Sequence, residues 1–176
     1  SQRLIDEAAS VKCRNATIKA VSIDVDEVPF NRGFYSATVH FYFMLCFDCY
    51  TAPCTTPQIA VGYAEFEKKC ILYGSEGDVK IFTSDYSDEK TDCPEAPQYA
   101  NPTAKVQAVD PVVLACDVVD TCNCPVPLCT CFPQCIMQSS GEGPIPVASS
   151  RAVLVTLGLF SIIQMERDVQ MTIPAY

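Results

Sequence analysis

Hydrophobic and polar residues alternate along several stretches of this chain, and the clearest of them covers residues 34–45. Its apolar side chains recur at every second position, namely Tyr35, Ala37, Val39, Phe41, Phe43 and Leu45. A period of two is that of a β-strand with one face buried. We therefore predict a strand here, with these six side chains directed into a core.

Seven further segments are apolar or rich in β-branched residues and have the length of one or two strands. They are residues 17–25, 59–72, 79–84, 105–109, 112–119, 151–163 and 169–173. Asp110-Pro111 separates two of them, because proline cannot donate a hydrogen bond to a neighbouring strand. About eight short strands, 13 prolines and almost no helical periodicity predict an all-β fold, an antiparallel β-sandwich or jelly roll.

The ends and loops set the predicted domain organisation. Residues 1–12 have Leu4, Ala8 and Val11 on one side of a possible helix, and they are equally compatible with a loose N-terminal arm. We predict this arm, then one β-sandwich domain over residues 13–176 with a Cys/Pro-rich insertion at 120–147. The acidic, proline-containing stretch 85–102 is predicted to be a surface loop.

Charge and hydropathy exclude some classes of partner. The formal net charge of the 176 residues is −9, and no basic stripe is present that would neutralise phosphates, so we predict no nucleic-acid partner. The most apolar stretch, 152–163, is shorter than the roughly 20 residues of a spanning helix, so we predict no membrane partner.

Cysteine is the residue type that stands out. The chain contains 12 cysteines: Cys13, Cys46, Cys49, Cys54, Cys70, Cys93, Cys116, Cys122, Cys124, Cys129, Cys131 and Cys135. A chain of this length and hydrophobicity does not need disulfides merely to fold. All 12 are therefore candidates for disulfides or cross-links, and their pairing cannot be deduced from sequence.

Five of these cysteines lie in the stretch DTCNCPVPLCTCFPQC, residues 120–135, spaced C-x-C-x4-C-x-C-x3-C. In an extended C-x-C pair both side chains point to one side with Cα atoms about 6.5 Å apart, near the upper limit for a disulfide. Three prolines stiffen the stretch further. Each sulfur of such a pair is therefore expected to bond elsewhere, within the chain or on a neighbouring copy.

A metal site is the main alternative for these thiols. Zinc sites use two close-spaced couples, and the sequence has one C-x-x-C, at Cys46 and Cys49. The ferredoxin spacing is absent. We predict no metal and no cofactor, while a metal-binding or redox protein that uses the 120–135 stretch stays an alternative.

Catalytic chemistry has little support. The single histidine, His40, lies on the face opposite Val39 and Phe41, where a half-exposed strand residue is the simpler interpretation. Asp24, Asp26 and the acidic loop 85–92 lack the spacing of a calcium loop. We predict that the protein is not an enzyme.

Four segments resemble a family of cysteine-rich proteins from spore-forming Clostridia. They are VPFNRGFYSATVHFYF (28–43), ILYGSEGDVKIFTSD (71–85), AVDPVVLACDVV (108–119) and VLVTLGLFSIIQMERDVQMTIPAY (153–176). The resemblance implies a component of the spore coat, exosporium or appendages, released when the mother cell lyses. The partners it implies are copies of itself and other spore-surface proteins.

The predicted architecture is also similar in kind to the endospore appendage pilins of Bacilli, in which a cysteine-bearing N-terminal arm cross-links jelly-roll subunits. Cys13 is the nearest match to that arm cysteine, although those pilins are shorter and have fewer cysteines. We therefore expect a structural subunit of a filament or lattice at a spore surface or outside the cell. A carbohydrate-binding adhesive module, with loop 85–102 as its contact surface, is a further alternative.

Overall fold

The computed structural model describes residues 2–76, 80–81, 98–99, 102–120, 151–167 and 173–174. Within these residues there is one short helix, α1 (Gln2–Glu7), and there are nine strands. The strands are β1 (Ser10–Glu27), β2 (Phe34–Tyr50), β3 (Gln58–Tyr73), β4 (Lys80–Ile81), β5 (Gln98–Tyr99), β6 (Thr103–Ala108), β7 (Val112–Asp120), β8 (Arg151–Gly158) and β9 (Ser161–Glu166). Seven of them have six residues or more. The predicted all-β class is confirmed, and the count of about eight strands stays a prediction.

The strands of the described part pair in four sheets, with the orders β1-β2-β3, β4-β5, β6-β9 and β7-β8. The pairs β4-β5 and β7-β8 are antiparallel. Between β1 and β2, Arg14 bonds Asp48 at 2.6 Å, and at the joining turn the Val28 amide donates to the Phe34 carbonyl at 3.0 Å. These two strands therefore also run in opposite directions.

The chain forms two compact units. Unit 1 comprises Ser1–Ser22, Val39–Lys68 and Gln107–Ile162, and unit 2 comprises Ile23–Thr38, Lys69–Val106 and Ile163–Tyr176. The predicted arm (1–12) and single domain (13–176) have boundaries that differ from those of the two units. That division stays a prediction.

The alternation predicted for 34–45 is confirmed, because each of its six apolar side chains is at most 6% exposed. In unit 1 this inward face continues along β2 and forms a buried cluster made of Ala8, Val11, Ala16, Leu45, Phe47, Cys49 and Ala60. Side chains of β7 and β8 pack against that cluster, namely Val113, Cys116, Val118, Val153, Val155 and Leu157. The core of unit 1 is thus shared between β2 and the β7-β8 pair.

The N-terminal residues are attached to unit 1 by polar contacts. Gln2 donates to the Arg151 carbonyl at 2.9 Å, and the Arg151 guanidinium donates to the Ala8 carbonyl at 2.7 Å. Ala8 and Val11, two of the three residues on the predicted helical side, are buried. The helix itself ends at Glu7, and β1 begins at Ser10.

In unit 2, Arg167 ties together two separate segments of chain. Its guanidinium donates to the Ser75 carbonyl and to the Tyr35 hydroxyl, both at 2.8 Å. The turn before β2 contains Gly33 at φ 79°, where an added Cβ would lie 2.8 Å from the Tyr73 ring. Both the left-handed conformation and the lack of space favour glycine at this position.

Several strand boundaries differ from those predicted. β1 begins seven residues earlier than the predicted strand 17–25, and the predicted strand 151–163 is two strands, β8 and β9, interrupted at Leu159 and Phe160. These two strands pair with different partners, β7 and β6. The predicted break at Asp110-Pro111 is confirmed, and most of segments 79–84, 85–102 and 169–173 lies outside the described residues.

Candidate functional site

Six of the 12 cysteines lie in the described part of the chain: Cys13 in β1, Cys46 and Cys49 in β2, Cys54 after β2, Cys70 in β3 and Cys116 in β7. These six are free thiols. The other six, Cys93, Cys122, Cys124, Cys129, Cys131 and Cys135, lie outside the described residues, so the predictions made for 120–135 stay predictions.

Four of the described thiols belong to unit 1 and are linked by electrostatic effects on one another, and we call them the thiol cluster: Cys13, Cys46, Cys49 and Cys116. Cys116 is central to it, because the negative charge that its sulfur carries when ionised raises the pKa of both Cys13 and Cys49. The Cys116 sulfur donates to the Val11 carbonyl at 3.8 Å, and the backbone amide of Cys13 stabilises its ionised form. Cys13 and Cys116 both pack against the core that contains Cys49.

A β-bulge directs Cys116 toward this cluster. The pairing of β7 with β8 shifts register between Val113 and Ala115, so Leu114 is the extra residue. Strict alternation from the inward Val113 would direct position 116 outward, since neighbouring side chains in a strand point to opposite faces. The bulge reverses this phase, and Cys116 packs on the core while Leu114 is 65% exposed.

The surroundings of Cys13, Cys49 and Cys116 favour protonated thiols. Burial raises the pKa of Cys13 above its ordinary value of 9.0, and the neighbouring thiols Cys116 and Cys46 raise it further. Burial also raises the pKa of Cys49, with a contribution from the Asp48 carboxylate. For Cys116, burial raises the pKa while the Cys13 backbone hydrogen bond opposes it. Because the thiolate is the nucleophilic form, these are not activated cysteines.

The described residues contain no group of three or more His, Cys, Asp or Glu side chains that could hold a metal ion. Nor does any helix among them have the length and hydropathy that a membrane span requires.

Cys54 differs from the cluster in its exposure and in its backbone conformation. It lies in the turn between β2 and β3, it is exposed, and its φ of 64° is in the left-handed region. Cys70 is intermediate, and its sulfur donates to the Ala37 carbonyl at 3.7 Å. Cys54 is thus the most accessible of the described thiols.

His40 has the structural role that its position in the sequence predicted. Its neighbours Val39 and Phe41 are fully buried, whereas its own side chain is 23% exposed on the other face of β2. Its Nδ1 atom lies 2.9 Å from a Glu65 carboxylate oxygen on the adjacent strand. The imidazole therefore bridges β2 and β3.

No known protein family, curated protein or solved structure matches this chain.

The sequence predicts the cysteines as candidates for disulfides or cross-links, but it does not indicate that Cys13 and Cys116 pack on the same core. Their proximity depends on the phase of β7, which the bulge at Leu114 reverses. The segment VVLACDVV shows no local signal of a bulge, since glycine, the usual mark of one, is absent from it. Only pairing with β8 reveals the register.

We expect the thiols of the fully reduced protein to differ in rate of alkylation. Cys54 reacts first with iodoacetamide at pH 8, and Cys13, Cys49 and Cys116 react severalfold more slowly, because burial shields their sulfurs and also raises their pKa, which lowers the reactive thiolate fraction. Above pH 9 the rates at the three cluster positions rise. Peptide mapping at timed intervals measures each rate.

The denatured protein is the control for this experiment. In urea the four thiols should react at similar rates and with similar pH profiles, since both burial and the raised pKa are lost. If Cys116 in the folded protein reacted as fast as Cys54, the buried cluster described above would be contradicted.

Proposed function

We propose that this protein is a structural subunit that assembles with copies of itself into a filament or planar lattice, stabilised by disulfides within and between subunits. We propose a β-sandwich or jelly-roll fold for it. The packing of β7 and β8 on the core face of β2 in unit 1 supports that fold, since two sheets of a sandwich share a core in this way.

The observation that carries the assembly proposal is the edge of the largest sheet. In the order β1-β2-β3, β3 is an edge strand, and its partner among the described residues is β2. In unit 1 the edge carries Ile59, which is 59% exposed, and Val61, which is 37% exposed. A long apolar edge strand is a template for a strand from another chain.

The opposite edge of this sheet is less open in unit 1. The Ile18 amide of β1 donates to the Asp110 carboxylate at 2.9 Å, and the Val11 carbonyl accepts from the Cys116 sulfur. Backbone groups that already have partners are not free to pair with an incoming strand. Since these backbone groups of β1 are occupied, β3 is the more suitable edge for a strand of another subunit.

Charged residues limit the part of β3 at which a strand of another subunit could pair. Glu67 and Lys68 are exposed near the middle of β3, and charged side chains on an edge strand oppose strand addition. The apolar stretch that includes Ile59 and Val61 lies before them. We therefore place the contact between subunits at the beginning of β3.

The accessible thiol of Cys54 supports disulfide bonds between subunits. Cys54 is exposed and lies four residues before Gln58, where β3 begins. A strand added at the beginning of β3 would place another subunit close to this sulfur. Bonds of this kind would make assembly irreversible without a reductant.

The location at a spore surface, or elsewhere outside the cell, rests on the resemblance of the four quoted segments to clostridial spore-surface proteins. A disulfide-bonded coat suits such a setting, because structural disulfides persist in oxidising surroundings. Other spore-surface proteins are the further partners that this location implies.

Replacing Ile59 by lysine is expected to weaken assembly. The exposed side chain adds little to the stability of the subunit, whereas a lysine at the docking edge would have to be desolvated, so we expect about a tenfold higher critical concentration. Light scattering on the reduced protein measures docking without covalent bonds. Electron microscopy of the same samples should show filaments or sheets for the unaltered chain.

Leu154→Lys is the matched control, because Leu154 is 60% exposed but lies on β8 rather than on the β3 edge. It should assemble like the unaltered protein. Equal losses in the two variants would contradict docking at β3. Monodisperse monomers of the unaltered chain, both oxidised and reduced, would overturn the proposed function.

A further inference from the structure

We propose that Cys13 and Cys116 form a disulfide within one chain, which joins β1 to β7 in unit 1. This inference goes beyond the proposed function, because the bond would also form in a subunit that never assembles. It assigns a partner to two of the 12 cysteines.

The positions of the two residues carry the proposal. The Cys116 sulfur lies against the backbone of β1, 3.8 Å from the Val11 carbonyl oxygen and in contact with the Cys13 amide. A cysteine sulfur is only three bonds from its own backbone nitrogen. Rotation about the Cα–Cβ bond of Cys13 therefore brings its sulfur toward that of Cys116.

Little opposes this rotation. The Cys13 sulfur donates to the Asn15 carbonyl at 3.6 Å, and a thiol is a weak donor. Both side chains pack against the same core and both are of intermediate exposure. Converting the two thiols into a disulfide therefore removes two hydrogens that make only weak hydrogen bonds.

The other thiols of the cluster are less suitable partners for Cys116. Cys49 is 1% exposed, so an oxidant in solution has little access to its sulfur. Cys46 lies between the buried residues Leu45 and Phe47 and so points to the opposite face of β2. Cys116 packs on the inward face, which it shares with Cys13.

The oxidation balances with a low-molecular-weight disulfide such as oxidised glutathione as the oxidant. The Cys13 thiolate attacks that disulfide and releases one small thiol, which leaves a mixed disulfide. The Cys116 thiolate then attacks the Cys13 sulfur and releases the second small thiol. Two protein thiols lose two electrons and two protons, and one small disulfide becomes two thiols. The raised pKa of both residues makes the exchange faster at alkaline pH.

Peptide mapping of the intact chain tests the pairing directly. An endoproteinase that cuts before aspartate releases residues 6–23, with Cys13 as their one cysteine, and residues 110–116, with Cys116 as theirs. The protein is equilibrated with oxidised glutathione and alkylated without reductant. The monomer band is then cut from a non-reducing gel and digested. We expect these two peptides to be joined, at their summed mass less two hydrogens.

Two results would overturn the pairing: recovery of both peptides in alkylated form, or a link from either of them to another peptide, such as 26–47 with Cys46 or 48–77 with Cys49, Cys54 and Cys70. Because the monomer band is used, the result does not depend on whether the protein assembles. Failure of this pairing and failure of the proposed function are therefore distinguishable.

A pair of variants provides a second measurement. In Cys13→Ser the 110–116 peptide should appear in alkylated form, because Cys116 has lost its partner. In the control, Cys46→Ser, the link between 6–23 and 110–116 should remain. If Cys116 of the first variant stayed protected from alkylation after denaturation, a different partner would be identified and the proposal would be wrong.

Discussion

On a denaturing gel, reduction with a thiol is expected to convert the cross-linked protein into monomers of 19.2 kDa. On a non-reducing denaturing gel, the native material should form a ladder or fail to enter the gel, because twelve cysteines per chain allow bonds to several neighbours. Denaturant alone should leave that pattern unchanged. Alkylation before denaturation prevents new disulfides from forming during the experiment.

The outcome that would contradict cross-linked assembly is a single monomer band without reductant. A matched pair of variants then tests which thiols reach another chain. Cys54→Ser should lower the share of cross-linked protein, since Cys54 is exposed, whereas Cys49→Ser should leave it unchanged, since Cys49 is 1% exposed. Bonds through cysteines outside the described residues account for the ladder that remains.

Replacing Phe41 by alanine should cause the largest loss of stability of any single substitution considered. Its side chain is fully buried, and its ring is stacked with those of Phe43 and Phe66 at centroid distances of 6.3 and 6.5 Å. Removing a buried phenylalanine leaves a cavity that the surroundings fill only in part, which costs about 3–5 kcal/mol. Urea unfolding of the reduced protein measures the difference in free energy of unfolding.

Phe66→Ala is the control for this substitution. Phe66 packs on Phe41 but is 50% exposed, so its removal should cost about 1–2 kcal/mol, roughly half the value of a fully buried side chain. Similar losses in the two variants would show that the inward face of β2 is not the centre of the core.

Residues 34–45 of β2 could be predicted from the sequence because one face of this strand is buried, although the strand itself continues to Tyr50. A burial pattern of period two is what the alternation of apolar residues records. The beginning of β1 could not be predicted, because its residues lack a regular alternation of apolar and polar side chains. Lys12 and Arg14 interrupt the apolar pattern there, and Arg14 lies on the outer face, where it pairs with Asp48.

The division of residues 151–163 into two strands could not be predicted from the apolar run itself. Both strands are apolar, and they are separate because β8 pairs with β7 while β9 pairs with β6. Pairing between segments distant in sequence leaves no trace in a local pattern. The same limit applies to the thiol cluster, whose members come from three strands.

The bulge in β7 determines the face of the strand on which Cys116 lies. Because the bulge places Leu114 and Ala115 opposite the single residue Thr156, β7 regains the phase of β8, so that Cys116 faces its own domain and Asp117 faces away from it. Loss of Leu114 would leave β7 and β8 in regular register with Cys116 still facing inward. If instead the bulge were straightened with Leu114 in place, pairing would slip by one residue and the sulfur of β7 would face its surroundings. A slip of pairing by one residue can thus convert a thiol that serves its own fold into one that serves assembly, without the gain or loss of any cysteine.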